Sequence, residues 1–124
     1  MSDQAERPDD LAADLPAEDA KLVTLARAVR ARTRASEGAA VRDLDGRTYA
    51  GASIALPHLR LTALDVCVAM AISSGATGLE AAVVLTDVDD VDTRAAGDLA
   101  GDGVPVLVGD TTGRIHTKLG TRAG

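Results

Sequence analysis

The sequence predicts an α/β fold, a three-layer α/β/α sandwich built on a mixed sheet of about five strands. Three observations carry that expectation. Two continuous apolar runs, LEAAVVLTD (79–87) and VPVLVGD (104–110), read as strands covered on both faces. The stretch 17–34 places Leu22, Leu25, Ala26 and Val29 at three- and four-residue steps, which makes one apolar helical stripe. The run VCVAMAI (66–72) is apolar on every side of a helix, so that helix belongs at the centre of the structure or in an interface. The 124 residues are enough for one domain.

The elements follow in order. Met1–Pro16 is polar and acidic, with Pro8 and Pro16 as breakers, and reads as a disordered tail. Residues 17–120 then form the single domain. The helix over 17–34 has Glu18 and Asp19 in its first turn and arginines in its last turns, as the helix dipole prefers. In GAAVRDLDGRTYAGASIA (38–55), two strand-like runs flank Asp45-Gly46, a hairpin signal. Thr62 caps the next helix, with Asp65 at capping-box spacing, and Gly75 stops it just after Ser74. After the first buried strand, residues 87–103 read as a loop and a short helix interrupted by Gly97. Residues 111–119 give a turn and a final alternating strand.

Composition bounds the function classes. Hydrophobic residues make up 46% of the chain, but 24 of them are alanines; there is no Phe or Trp, and Tyr49 is the only aromatic. A core of small aliphatic side chains buries little area, so a homo-oligomer that completes its core across interfaces is expected. The net charge of −6 lies in the first 20 residues, and the remaining body is neutral. A neutral body argues against nucleic-acid binding. One cysteine excludes an internal disulfide and a cysteine-based zinc cluster. There is no membrane-length apolar run and no signal-peptide pattern, so a cytoplasmic protein is expected.

The motif G-A-A-V-x-x-x-D-G-x-x-Y-x-G-x-x-I, supplied by Gly38 to Val41, Asp45, Gly46, Tyr49, Gly51 and Ile54, resembles the cytidine deaminase family over roughly residues 20–110. In that family a Leu-Thr pair opens the helix that carries the first zinc ligand, and Leu61-Thr62 stand there. The resemblance implies zinc held by a Cys or His on that helix and by both cysteines of a P-C-x-x-C motif on the next helix. A Glu two residues after the first ligand moves protons between zinc-bound water and the base.

This chain departs from the pattern at each of those positions. The family's C-A-E falls on Leu64, Asp65 and Val66, so the ligand has become Leu and the proton carrier Val. DVDDVDTRAAGDL has neither Cys nor Pro where P-C-x-x-C should stand. The N-[IV]-E segment that holds the ribose in the family reads Ser53, Ile54, Ala55. Zinc and other cofactors are therefore not expected, and no residue is assigned to catalysis. Ser53, Ala55, Leu64 and Val66 are expected to line a vestigial pocket.

Other chemistry-bearing residues have simpler readings. Asp65 is one position from the family's Glu, about 100° around the helix, and reads as the Thr62 capping partner. Cys67 sits in the apolar run, where a free thiol behaves as a small hydrophobe. His58 is a loop histidine, and His116 faces solvent on the last strand. Asp87, Asp89, Asp90 and Asp92 read as a solvated loop without the spacing of a calcium loop. Arg27, Arg30 and Arg34, with Arg32 nearby, read as a solvated helix face. G-D-T-T-G (109–113) is a turn without the Lys of a P-loop, and neither Ser36 nor Ser73-Ser74 has the partners of a nucleophile.

The function expected is a non-catalytic deaminase-like protein without zinc, acting as an oligomeric scaffold or through a protein partner. A small-molecule binding module using the vestigial pocket is the alternative. A zinc-dependent deaminase with a rearranged site is a second one, set back by the shortage of ligands.

Overall fold

The computed structural model describes residues 15–123. The elements are α1 (Ala17–Thr33), β1 (Gly38–Asp43), β2 (Thr48–Ala52), β3 (Ile54–Leu56), β4 (Leu59–Leu61), α2 (Ala63–Ser73), β5 (Leu79–Leu85), α3 (Arg94–Ala100), β6 (Pro105–Gly109) and β7 (Ile115–Gly120). Five strands form one sheet in the order β2-β1-β5-β6-β7. The β5–β6 pair is parallel, with α3 in its crossover, and the other neighbours are antiparallel. The mixed five-stranded sheet is the one expected.

Strand alternation sorts the core into two layers. On one face Leu22 and Ala26 of α1 pack against Ala40, Ala81, Val83, Leu85, Leu107 and Ile115. On the other face Leu64, Cys67, Val68 and Ala71 of α2, with Ala96 of α3, cover Ala39, Val41, Ala82, Val84, Val106 and Val108. Each fully buried Leu, Val or Ile in these layers contributes about 1.5–3 kcal/mol. Because most side chains are small, helices and sheet must approach closely to exclude water.

The hairpin between β1 and β2 turns as expected, with Gly46 at φ 84°. Its stability is not a matter of the turn alone. The buried Asp43 carboxylate accepts the backbone N–H groups of Asp45 and Arg47, each at 2.9 Å, and the Tyr49 hydroxyl at 2.9 Å. Burial pushes its pKa up, and the three hydrogen bonds outweigh that and hold the carboxyl below its ordinary value.

Three features differ from expectation. Residues 54–61 form a second, two-stranded sheet, β3–β4, with His58 exposed in its turn. Gly97 does not interrupt α3. It lies inside the helix because a side chain there would collide with the backbone carbonyl of Arg122. The α2 helix is not at the centre, the first of the two places expected for it: Ala63, Leu64, Cys67, Val68 and Ala71 are buried, while Met70 and Ile72 are 37% and 53% exposed. Residues 1–14 of the expected tail lie outside the described residues. Leu15 packs against the α1-side core, and the Pro16 carbonyl accepts the backbone N–H groups of Asp19 and Ala20 at the start of α1.

Candidate functional site

The parallel pair directs attention to the carboxyl end of β5, where open α/β sheets place their ligands. A cavity of about 270 Å³ opens there. Glu37, Thr62, Leu64, Val84, Val88, Asp90, Val91 and Asp92 line it. Its walls therefore come from the α1–β1 connection, the N-terminus of α2, the end of β5 and the loop before α3.

The N-terminus of α2 is closed by the chain's own side chains. The Thr62 hydroxyl accepts the Asp65 N–H at 3.1 Å, the expected cap. The Glu37 carboxylate accepts the Ala63 N–H at 3.1 Å with one oxygen and the buried Thr86 hydroxyl at 2.9 Å with the other. Thr86 in turn accepts the Val88 N–H at 3.2 Å. Glu37 thus ties the helix end to the end of β5. Nothing local in the sequence marks this role, since its partners lie 26 and 49 residues away. The one available hint is an acid placed directly before the buried run Gly38-Ala39-Ala40.

Of the four residues expected to line one pocket, the structure places Leu64 on the cavity wall, where it is 1% exposed. The other three are elsewhere, and each for a physical reason. Val66 lies two positions on from Leu64, about 200° round the helix, and packs over Gly51 of β2. Ser53 is held between α1 and β1 by the Glu37 N–H at 3.1 Å and the Ser36 hydroxyl at 3.2 Å. Ala55 is exposed on the ribbon. This cavity therefore does not bring the four together. Glu37, Val84, Val88 and Val91 are lining residues that sequence reasoning missed.

Asp65 follows Leu64 in the first turn of α2. Burial raises its pKa, and the charges of Asp92 and Glu37 raise it further, against a hydrogen bond from the Thr62 side chain. Asp92 is shifted the other way, down to about 2, chiefly because the Arg94 side chain hydrogen-bonds it. That pair is bidentate, with N···O distances of 3.0 and 2.8 Å, and Asp92 also accepts the Arg94 backbone N–H at 3.0 Å. Asp87, Asp89 and Asp90 are exposed in the same loop.

The donor set does not suit the zinc that the resemblance implies. The residues at the two helix ends are Thr62 to Val66 and Thr93 to Ala96, and none offers a thiol or an imidazole. Cys67 is fully buried on the sheet side of α2, close to Gly51 of β2. Burial pushes its thiol up to about 12, far from a thiolate ligand. His58 and His116 are exposed, on the ribbon turn and on β7. Among the described residues, no group of three His, Cys, Asp or Glu is placed to hold a metal ion.

The family model for cytidine deaminase-like proteins matches residues 15–113. The chain belongs to this family. Among the solved structures that share this fold are two cytidine deaminases. The cytidine deaminase from Burkholderia pseudomallei is 18% identical, with a TM-score of 0.67 over 81% of this chain and 90% of that one. The enzyme from Mycobacterium leprae is 18% identical, with a TM-score of 0.63 over 75% and 89%. Identity this low speaks for the fold alone. No curated protein matches the sequence. The cytidine deaminase-like architecture therefore rests on the family model, the sheet order and these two likenesses.

Proposed function

We propose that this cytidine deaminase-like chain does not deaminate and works without zinc, as an oligomeric scaffold or through a protein partner. One observation carries the reading. The helix end that the family resemblance assigns to a metal ligand is filled by buried Leu64, and its first amides are taken by Glu37 and Thr62. Leu has no lone pair to offer a cation, and a capped helix end has little positive potential left to stabilise a thiolate.

The test joins two measurements on chelator-free protein: metal content per subunit, and conversion of cytidine to uridine. Substoichiometric zinc and no uridine are expected. Stoichiometric zinc together with uridine formation that Asp65→Asn abolishes overturns the reading.

A second copy of the chain is the first partner to consider. Leu56, Leu59, Met70 and Ile72, on the ribbon and the adjoining helix α2, are large apolar side chains left exposed. Light scattering is expected to give a mass above one subunit at micromolar concentration, and a monomer mass counts against the scaffold. The cavity at the end of β5 supports a second reading, a small-molecule binding module, because Val84, Val88 and Val91 give it an apolar floor. A metabolite panel that produces no thermal shift counts against that. No helix among the described residues is long and apolar enough to cross a membrane, and we place the protein in the cytoplasm.

A further inference from the structure

Two sequence features that mean little apart meet on the opposite face of the sheet from this cleft. The exposed face of α1 carries Arg27 and Arg30, and the turn Asp110–Arg114 comes up beside it. A groove of about 440 Å³ lies there, lined by Thr24, Arg27, Ala28, Arg30, Ala31 and Thr111. We propose that this groove binds a small phosphate-bearing molecule through Arg27, Arg30 and the Thr111 hydroxyl.

Among the described residues neither guanidinium group has an acceptor, and each side chain packs against its surroundings. The Arg30 Nε is buried and has no hydrogen-bond partner, while its two terminal nitrogens are not buried. The stem and Nε of Arg27 lie over Gly113, close enough that a Cβ on that glycine would sit 2.5 Å from the Arg27 Cδ. Among the described residues, no ion pair or hydrogen bond engages either guanidinium group or the Thr111 hydroxyl. The one carboxylate of the turn, Asp110, accepts the Thr112 N–H and hydroxyl and the Arg114 N–H at its Oδ1, at 2.9, 2.6 and 3.2 Å.

Two positioned guanidinium forks and a hydroxyl suit a dianionic tetrahedral group better than a single carboxylate, because each fork can take two oxygens. The groove does not suit a nucleic acid. The only aromatic side chain, Tyr49, is in the β1–β2 hairpin, and the chain carries a net charge of −6. The proposal is independent of how the cleft at the end of β5 is read.

Titration calorimetry of the full chain with inorganic pyrophosphate at low salt tests it. Saturable binding of one pyrophosphate per subunit is expected. Arg27→Gln and Arg30→Gln each weaken it by at least about tenfold, as loss of a charge-assisted bond should. Arg32→Gln removes the same charge from an exposed position outside the groove and leaves the affinity within about twofold. No saturable binding overturns the proposal. So does an equal loss in all three variants, which would mean diffuse electrostatic attraction. A single-stranded oligonucleotide that binds more tightly than pyrophosphate, through the same two arginines, also overturns it.

Discussion

The N-termini of α2 and α3 adjoin the same cavity, and in the family resemblance both hold metal ligands. They are secured in opposite ways. The α2 end is fixed by long-range bonds: Glu37 joins Ala63 to Thr86 across two other chain segments, and Leu64 anchors the first turn in the core. The α3 end is fixed locally. Its N-cap, Thr93, makes no side-chain cap bond, and the exposed Asp92–Arg94 pair spans two residues. What fastens α3 is its middle, where Gly97 meets the Arg122 backbone. The difference teaches that one helix end belongs to the cooperative core, while the other is held at the surface.

Substitutions can break that contrast. Leu64→Ala should have the largest effect, a loss of about 2–5 kcal/mol from the cavity it leaves, read by urea denaturation. A loss typical of a surface site would mean that the first turn of α2 is not part of the core. Glu37→Ala comes next, at about 1–3 kcal/mol, because the Ala63 amide and the buried Thr86 hydroxyl both lose their partner. Hydrogen exchange should then quicken at Ala63 and at Val88 together; faster exchange at one alone would break the proposed link.

Asp65 sharpens the comparison through pH. Folding raises its pKa, so the native state holds the proton more tightly than the unfolded chain. The ionised carboxylate therefore costs stability, fully above the folded pKa and not at all below the ordinary carboxylate range. Asp65→Asn should melt higher than the parent at neutral pH, and that advantage should vanish on acidification. A pH-independent difference would point to packing instead.

Asp92→Asn should have the smallest effect. Its pKa is depressed, so its contribution is present above the ordinary carboxylate range and fades as the pH falls through about 2. Exposure and salt screening keep the effect small, and high salt should erase it. An effect that matches Glu37→Ala would remove the contrast between the two helix ends.

What was legible in the sequence had a local cause. The stripe on α1, the Asp45-Gly46 turn, the Thr62 cap and the unbroken apolar runs of β5 and β6 each depend on neighbours a few residues apart. The ribbon β3–β4 was hidden because Pro57-His58 is a poor hairpin signature, and each strand is only three residues long. Gly97 looked like a break because the backbone it faces is remote in sequence. Glu37 was missed for the same reason. Its chemistry exists only after three chain segments have come together. Leu64 stood out at once, since a Leu at the position where the family resemblance implies a ligand is read without tertiary context.

Tyr49 gives the molecule a single optical reporter. With no tryptophan to mask it, all near-ultraviolet absorbance and emission from aromatic residues arises at one place, and that place is the hairpin where its hydroxyl meets the Asp43 carboxylate. A carboxylate bonded to a phenol quenches its fluorescence, so opening of the β1–β2 hairpin should be seen as a rise in emission. The same signal is blind to the cavity at the end of β5 and to the arginine groove. Tyrosine emission and far-ultraviolet circular dichroism, followed side by side, would therefore report whether the hairpin opens with the rest of the chain or before it.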